Sequence, residues 1–186
     1  MTAADAASPD DVLLAAQTGE PWAMRALFDT LAPRVQGYLR ARGAAEPEDL
    51  TSEVFLAVLP RLGEVVGGYA GLRSFVFSVA HARLVDSFRV RSRRPASLPY
   101  EARQDDRSSP SAEDAADAGL GLDRATALLS RLPDSQRDVL VLRVLGDLTV
   151  EQVAGVLGTT EGAVKQLQRR GLLALRALLA EGTVTL

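Results

Sequence analysis

Apolar residues recur along most of this chain at three- and four-residue spacing, the period of helices that bury one stripe. The pattern predicts a short helix over 10–18 and a longer one from Pro21 to Gly43, with Trp22, Leu27, Leu31, Val35, Tyr38 and Leu39 at helical spacing. Proline suits the first turn of a helix, where its missing N–H is not needed, so Pro21 and Pro47 read as helix starts. The helix opened by Pro47 carries Leu50, Val54, Ala57 and Val58 inward and runs toward Leu62, with Pro60 set to kink or end it. A glycine-rich loop is expected over 63–71, then a long helix from Leu72 to Arg94, apolar in its first half and arginine-dense at its end.

Further on, 122–132 reads as a helix, Pro133 restarts the chain, and 135–145 forms the next helix with Gly146 as its cap. Two amphipathic segments then meet at Gly158. The first places Val150, Val153, Ala154 and Leu157 on one face behind Thr149, with Gln152 three positions on, the spacing of a capping box. The second points Val164, Leu167, Gly171, Ala174 and Leu178 one way and Glu161, Lys165, Gln168 and Arg169 the other. Residues 149–170 therefore read as a helix-turn-helix: one helix braces, and the next offers polar and basic side chains to a DNA major groove. No strand pair with hairpin turns and no repeat of solenoid period is present, so the fold class is all-α.

Composition adds exclusions. With no cysteine, disulfides and thiolate metal sites are ruled out, and a single histidine makes a metal role improbable. No apolar run reaches the roughly 20 residues a membrane span needs, and acids stand where a signal peptide would have bases, so a cytoplasmic location is expected. Between about Ser97 and Gly121 the apolar period disappears among Pro, Ser and Asp, as in a solvated linker. It divides the chain into two helical modules, 8–95 and 122–182, separated by 96–121.

The net charge of −3 conceals segregation. Residues 72–94 hold six arginines against Asp86 alone, and 101–123 hold seven acids against two arginines. Charge on one face, not the total, sets counterion release from phosphates, so an acidic chain can still bind DNA. Twenty of the 21 basic residues are arginine, which suits bidentate phosphate or guanine contacts, although a GC-rich genome produces the same bias.

The order of these parts resembles the extracytoplasmic-function (ECF) group of the sigma-70 family, bacterial RNA polymerase initiation factors with two helical domains, sigma-2 and sigma-4, on a flexible linker. EPEDLTSEVFLAVLPRL at 46–62 is similar to the helix with which the family grips the β′ coiled coil of the polymerase. SFVFSVAHARLVDSFRVRSRR at 74–94 is similar to the helix that melts and reads the −10 element. LSRLPDSQRDVLVLRVLGDLTVEQVAGVLGTTEGAVKQLQRRGLLALRALL at 129–179 resembles the region that reads the −35 element.

The resemblance implies a sigma factor that binds core RNA polymerase through the β′ coiled coil and the β flap, directs it to promoter DNA, and answers to an anti-sigma factor. It uses no cofactor or metal and has no catalytic residues of its own. On the residues, the −35 contact falls to Thr159, Thr160, Glu161, Lys165, Gln168 and Arg169, because the N-terminus of a helix favours phosphate and the spacing shares one face. The −10 contact falls to Phe75, Phe77, Arg83, Arg89, Arg91, Arg93 and Arg94, since unstacked bases need aromatic platforms beside positive charge. For any one of these phenylalanines a place in the helical core is the commoner use. Polymerase contact falls to Asp49, Leu50, Glu53, Phe55 and Leu56, although acids in a first turn also complement a helix dipole.

The chain departs from the family pattern at two points. His81-Ala82 stands where relatives usually carry Arg-Asn, which implies altered or relaxed −10 selectivity, and Ser52 stands where Gln is common. The acidic 101–123 stretch reads either as a tether or as a phosphate mimic in a polymerase channel. A stand-alone helix-turn-helix repressor or activator is the alternative function; it would need no polymerase and would act as a dimer. A receiver-domain regulator lacks its parallel-sheet pattern, and an enzyme lacks a phosphate loop or a paired catalytic constellation.

Overall fold

A computed structural model of the chain describes residues 7–93 and 127–183, with side chains through Ser92 and Ala180. Described residues form helices α1 (Pro9–Gln17), α2 (Pro21–Ala41), α3 (Pro47–Val58), α4 (Gly68–Arg93), α5 (Asp134–Val144), α6 (Val150–Leu157) and α7 (Glu161–Thr183), with a 3-10 segment over Leu59–Glu64. A helical turn at 127–130 precedes α5, and no strand occurs among the described residues. The architecture is all-α. The acidic 101–123 stretch and Arg94 lie outside the described residues, as do 122–126 of the helix expected over 122–132.

The first four helices pack around Leu31, Val35, Tyr38, Leu39, Val54, Val58, Leu72, Val76, Phe77 and Leu84, each at most 1% exposed. Burial of each large side chain supplies about 1.5–3 kcal/mol, and the stripe read from the sequence in α2 supplies four of them. Trp22, expected in that stripe, stands in the first turn of α2 and is 39% exposed. Pro60 ends α3 as a regular helix, and the chain tightens into the 3-10 segment; the carbonyls of Leu62 within it and of Val65 just after it accept from Gln17 Nε2 at 2.9 and 3.2 Å.

Helix α4 begins at Gly68, four residues before the expected start. The extra turn forms because Asp10 Oδ1, from α1, accepts from Tyr69 N at 2.7 Å and caps an otherwise orphaned donor. Gly71 is required there by contact, since a Cβ would stand 1.9 Å from the Val66 carbonyl oxygen.

In the second module Val139, Leu142, Leu148, Val153 and Val164 are fully buried. The LPDSQR stretch explains itself physically. Arg137 reaches back to donate to the carbonyls of Leu129 at 2.8 Å, Ser130 at 2.8 Å and Leu132 at 2.9 Å, so one guanidinium satisfies the end of the preceding helical turn. Gly146 is not the helix cap: Leu145 caps α5, and the left-handed residue is Asp147 at φ 49°. Gly146 is small because a Cβ would meet Leu142 O at 2.6 Å and Leu148 Cγ at 3.1 Å.

Candidate nucleic-acid interface

The turn between α6 and α7 is built from both ends. Thr149 Oγ1 accepts from Gln152 N at 3.2 Å while Gln152 Oε1 accepts from Thr149 N at 2.9 Å, the reciprocal capping box. Gly158 closes α6 at φ 62°, a conformation that costs glycine nothing and a residue with Cβ about 1–2 kcal/mol. Thr160 Oγ1 then accepts from Ala163 N at 3.2 Å and starts α7. Val164 is fully buried, and Gly171 lets α7 lie against α5, where a Cβ would come within 2.8 Å of Leu140 Cδ1.

With that face pinned, the opposite face of α7 is open. Thr159, Thr160, Glu161, Lys165 and Arg169 are exposed, while Gln168 is half-buried. Glu161 and Lys165 form an exposed ion pair at 3.4 Å, one turn apart, which orients the lysine but contributes little stability. Lys165, Gln168 and Arg169 share one shallow depression with Arg143 and Arg176, floored by Val150, Leu172 and Leu173. The last two arginines were not among the sequence candidates. Arg176 lies two turns beyond Arg169 and was findable by continuing the same period. Arg143 comes from α5, where it donates to the Leu148 carbonyl and lines the same depression.

Along α4 the candidates divide. Arg83, Arg89 and Arg91 are exposed; Arg89 pairs with Asp86 at 3.2 Å and Arg91 lies 5.8 Å over the Phe88 ring. Arg93 ends the helix, and Arg94 lies beyond the described residues. Phe75 is half-buried under the Arg61 guanidinium, 5.0 Å from its ring centroid. Phe77 is fully buried and packs edge-on against Tyr38 with centroids 5.8 Å apart. That corrects its reading as a base platform: it points from the inner stripe of α4 with Val76 and Ala80 and has no access to a base.

On α3, Asp49, Glu53 and Leu56 fall at i, i+4 and i+7 and share one exposed face, Leu56 at 75% exposure. Leu50 is half-buried. Phe55 is only 3% exposed and stacks edge-on against Phe28 at 4.8 Å, so it supports this face from beneath rather than forming it. Leu50 and Glu53 line a groove whose far wall is Arg83, Asp86, Ser87, Val90 and Arg91 of α4. Sequence spacing alone did not place Glu53 of α3 beside Arg83 and Arg91 of α4.

His81 Nδ1 lies 2.8 Å from Tyr38 Oη, and burial together with the nearby Arg42 charge holds its pKa below the ordinary 6.5. Ala82 is exposed beside it. No group of acids, histidines or cysteines among the described residues could hold a metal ion, and no described helix is long and apolar enough to cross a membrane.

Comparison with known proteins decides the family. The sigma-70 region 4 family matches residues 128–177. The ECF RNA polymerase sigma factor ShbA of Streptomyces griseus is 35% identical over 174 residues, covering 86% of this chain and 89% of that protein. The chain belongs to the ECF RNA polymerase sigma factors. The sigma factor SigD of Mycobacterium tuberculosis is 32% identical over 174 residues, covering 90% of this chain and 82% of its own. BldN of Streptomyces coelicolor, also an ECF sigma factor, is 31% identical over 179 residues, covering 95% of this chain and 68% of its own. Among solved structures, CnrH in complex with the cytosolic domain of CnrY superposes with a TM-score of 0.64 over 93% of this chain and 97% of that one, at 21% identity, a likeness of fold.

Proposed function

We propose that this sigma factor holds core RNA polymerase through the exposed face of α3 and positions promoter DNA at two places. Asp49, Glu53 and Leu56 offer acids around an apolar knob, the chemistry that suits a basic coiled coil with apolar ridges. Helix α7 enters the major groove of the −35 element with Lys165, Gln168 and Arg169 toward base edges and phosphates, and Thr159 and Thr160 at its N-terminus toward a phosphate. Arg176 and Arg143 continue the same positive depression along the backbone. The −10 element lies along α4, where Arg83, Arg89 and Arg91, with Arg93 and Arg94 following in sequence, supply charge, and Phe75 in the first half and Phe88 in the second supply aromatic rings. Ala82, which cannot donate or accept through its side chain, implies a relaxed −10 preference at the position it faces. An anti-sigma factor that covers the α3 face is part of the same proposal, as is action without catalysis.

The observation that carries this reading is the extent of the match to ShbA, which spans both modules and not the helix-turn-helix alone. A stand-alone repressor would need only the second module. Separating the two surfaces tests the proposal. Asp49→Ala with Glu53→Ala should abolish pull-down of core polymerase while leaving the far-ultraviolet spectrum unchanged. Arg169→Ala should leave pull-down intact and weaken transcription from −35-dependent promoters. If Arg169→Ala instead costs core binding, the assignment of surfaces is wrong.

A further inference from the structure

Charge alone does not account for the residue at position 165. Twenty of the 21 basic residues are arginine, and the one lysine stands on the DNA-facing side of α7. An arginine there would supply the same positive charge and a better fork for phosphate or guanine. Lysine supplies something else: a primary amine that becomes a nucleophile once it loses a proton, which a guanidinium does not. Lys165 carries the only ε-amine in the chain.

The surroundings of that amine suit acyl transfer. Its side chain is 65% exposed, and Nζ is held 3.4 Å from Glu161 Oε2, one turn earlier. The depression that Lys165 lines also takes in Arg143, Arg169 and Arg176, over the apolar side chains of Val150, Leu172 and Leu173. Among the described residues no carboxylate lines it. Guanidinium groups converging on a hollow bind phosphate oxygens, and an apolar floor receives a short acyl chain. An acyl phosphate, the mixed anhydride of a carboxylic and a phosphoric acid, carries both groups on adjacent atoms. Its phosphate matches the arginines and its acyl group matches the floor, which brings the carbonyl carbon beside the lysine amine.

We propose that Lys165 is an Nε-acylation site, that its donor is an acyl phosphate held by Arg143, Arg169 and Arg176, and that acylation weakens −35 engagement. The Nζ lone pair attacks the acyl carbonyl carbon and an amide C–N bond forms. The bond from that carbon to the bridging phosphate oxygen breaks, and inorganic phosphate leaves with the electron pair. The amine proton passes to Glu161 or to water, and nothing is oxidised or reduced. The amide is neutral, so the depression loses one of its four cations and the Glu161 carboxylate loses its partner beside the DNA backbone. Backbone phosphates and the donor compete for the same arginines, so DNA-bound chain is protected. This inference rests on the −35 reading of α7.

Acetyl phosphate is the probe, and the acetyl ester of N-hydroxysuccinimide, which has no phosphate, is its control. Acetylation at position 165 of the full-length chain is followed by peptide mass spectrometry, with the α-amine as internal reference. The ratio of Lys165 to α-amine acetylation should be about tenfold or more higher with acetyl phosphate than with the ester, because the arginines concentrate the anionic donor. Arg169→Ala with Arg176→Ala, or an excess of inorganic phosphate, should bring the ratio down to the ester value. Equal ratios for the two donors, or a ratio that survives loss of both arginines, would overturn the donor site.

A chain with acetyl-lysine installed at position 165 by codon suppression reads the consequence. It should bind core polymerase as the unmodified chain does. Its holoenzyme should bind a −35-containing promoter about tenfold more weakly, with a log–log salt slope shallower by about one. Lys165→Arg, whatever its own activity, should give transcription that pretreatment with acetyl phosphate leaves unchanged. Unmodified chain that starts no transcription with core would overturn the −35 reading and this inference with it. Transcription that stands while acetylation at position 165 changes neither affinity nor slope would overturn this inference alone.

Discussion

Arg137→Ala should cost the second module more than any surface arginine. The side chain is 13% exposed, and its guanidinium donates to three carbonyls, two of them part-buried, while lying 3.4 Å from Asp134. A hydrogen bond from a charged donor contributes about 1.5–3 kcal/mol, but carbonyls uncovered by truncation regain some water. Counting the two part-buried acceptors at roughly 1 kcal/mol each and a smaller share for Ser130 and the packing of the stem gives a net loss of about 2–3 kcal/mol. A single core cluster spans both modules and makes them unfold together, so a midpoint shift of roughly 2–4 °C per kcal/mol applies, or about 5–10 °C in all. Arg137→Lys should recover less than half, since one ammonium cannot span three acceptors set in a planar fork. Thermal unfolding followed by circular dichroism at 222 nm reads both variants. A loss under about 0.5 kcal/mol for alanine, or full recovery by lysine, would refute the capping account.

Arg169→Ala should reduce affinity of polymerase holoenzyme for a −35-containing promoter by about 10- to 100-fold, the range for one specific major-groove contact, measured by fluorescence anisotropy at fixed salt. Leu56→Ala should weaken core binding at least about tenfold yet leave thermal stability within about 0.5 kcal/mol, because the side chain is 75% exposed. His81, the single histidine, should titrate by NMR below 6.5, and Arg42→Gln should move that midpoint upward by removing the second cause of the shift. The sign for stability follows: a depressed histidine pKa in the folded state means this contribution is present above 6.5 and is lost as pH falls toward the folded value.

The sequence carried the helices, the helix-turn-helix and its outward basic face, because all of these rest on local period and capping chemistry. Thr149 with Gln152 and the glycine at 158 are complete signals within ten residues. What it could not carry depends on packing between distant segments. Phe77 and Phe55 look like available aromatics in a charged stretch, and only the position of Tyr38 and Phe28 shows that their rings are enclosed. The start of α4 is not legible locally, because its cap, Asp10, comes from 59 residues upstream. Gly146 follows a helix as a capping glycine would, whereas its small size serves contact with Phe77 and Leu148. The contact between modules was not legible at all. Arg42 and Asp138 are ordinary helix residues until the fold brings them together as an ion pair.

A sigma factor directs core RNA polymerase to promoters, so transcription from them should depend on both components. The direct measurement is transcription of a genomic fragment library by core polymerase with and without the chain, with RNA 5′ ends mapped and the chain's own DNA binding assayed alongside. New start sites should require both components and share sequence centred near −10 and −35, with no specific binding by the chain alone. Specific binding by the free chain, with no start site gained by adding it to core, would make it a stand-alone regulator and not a polymerase subunit.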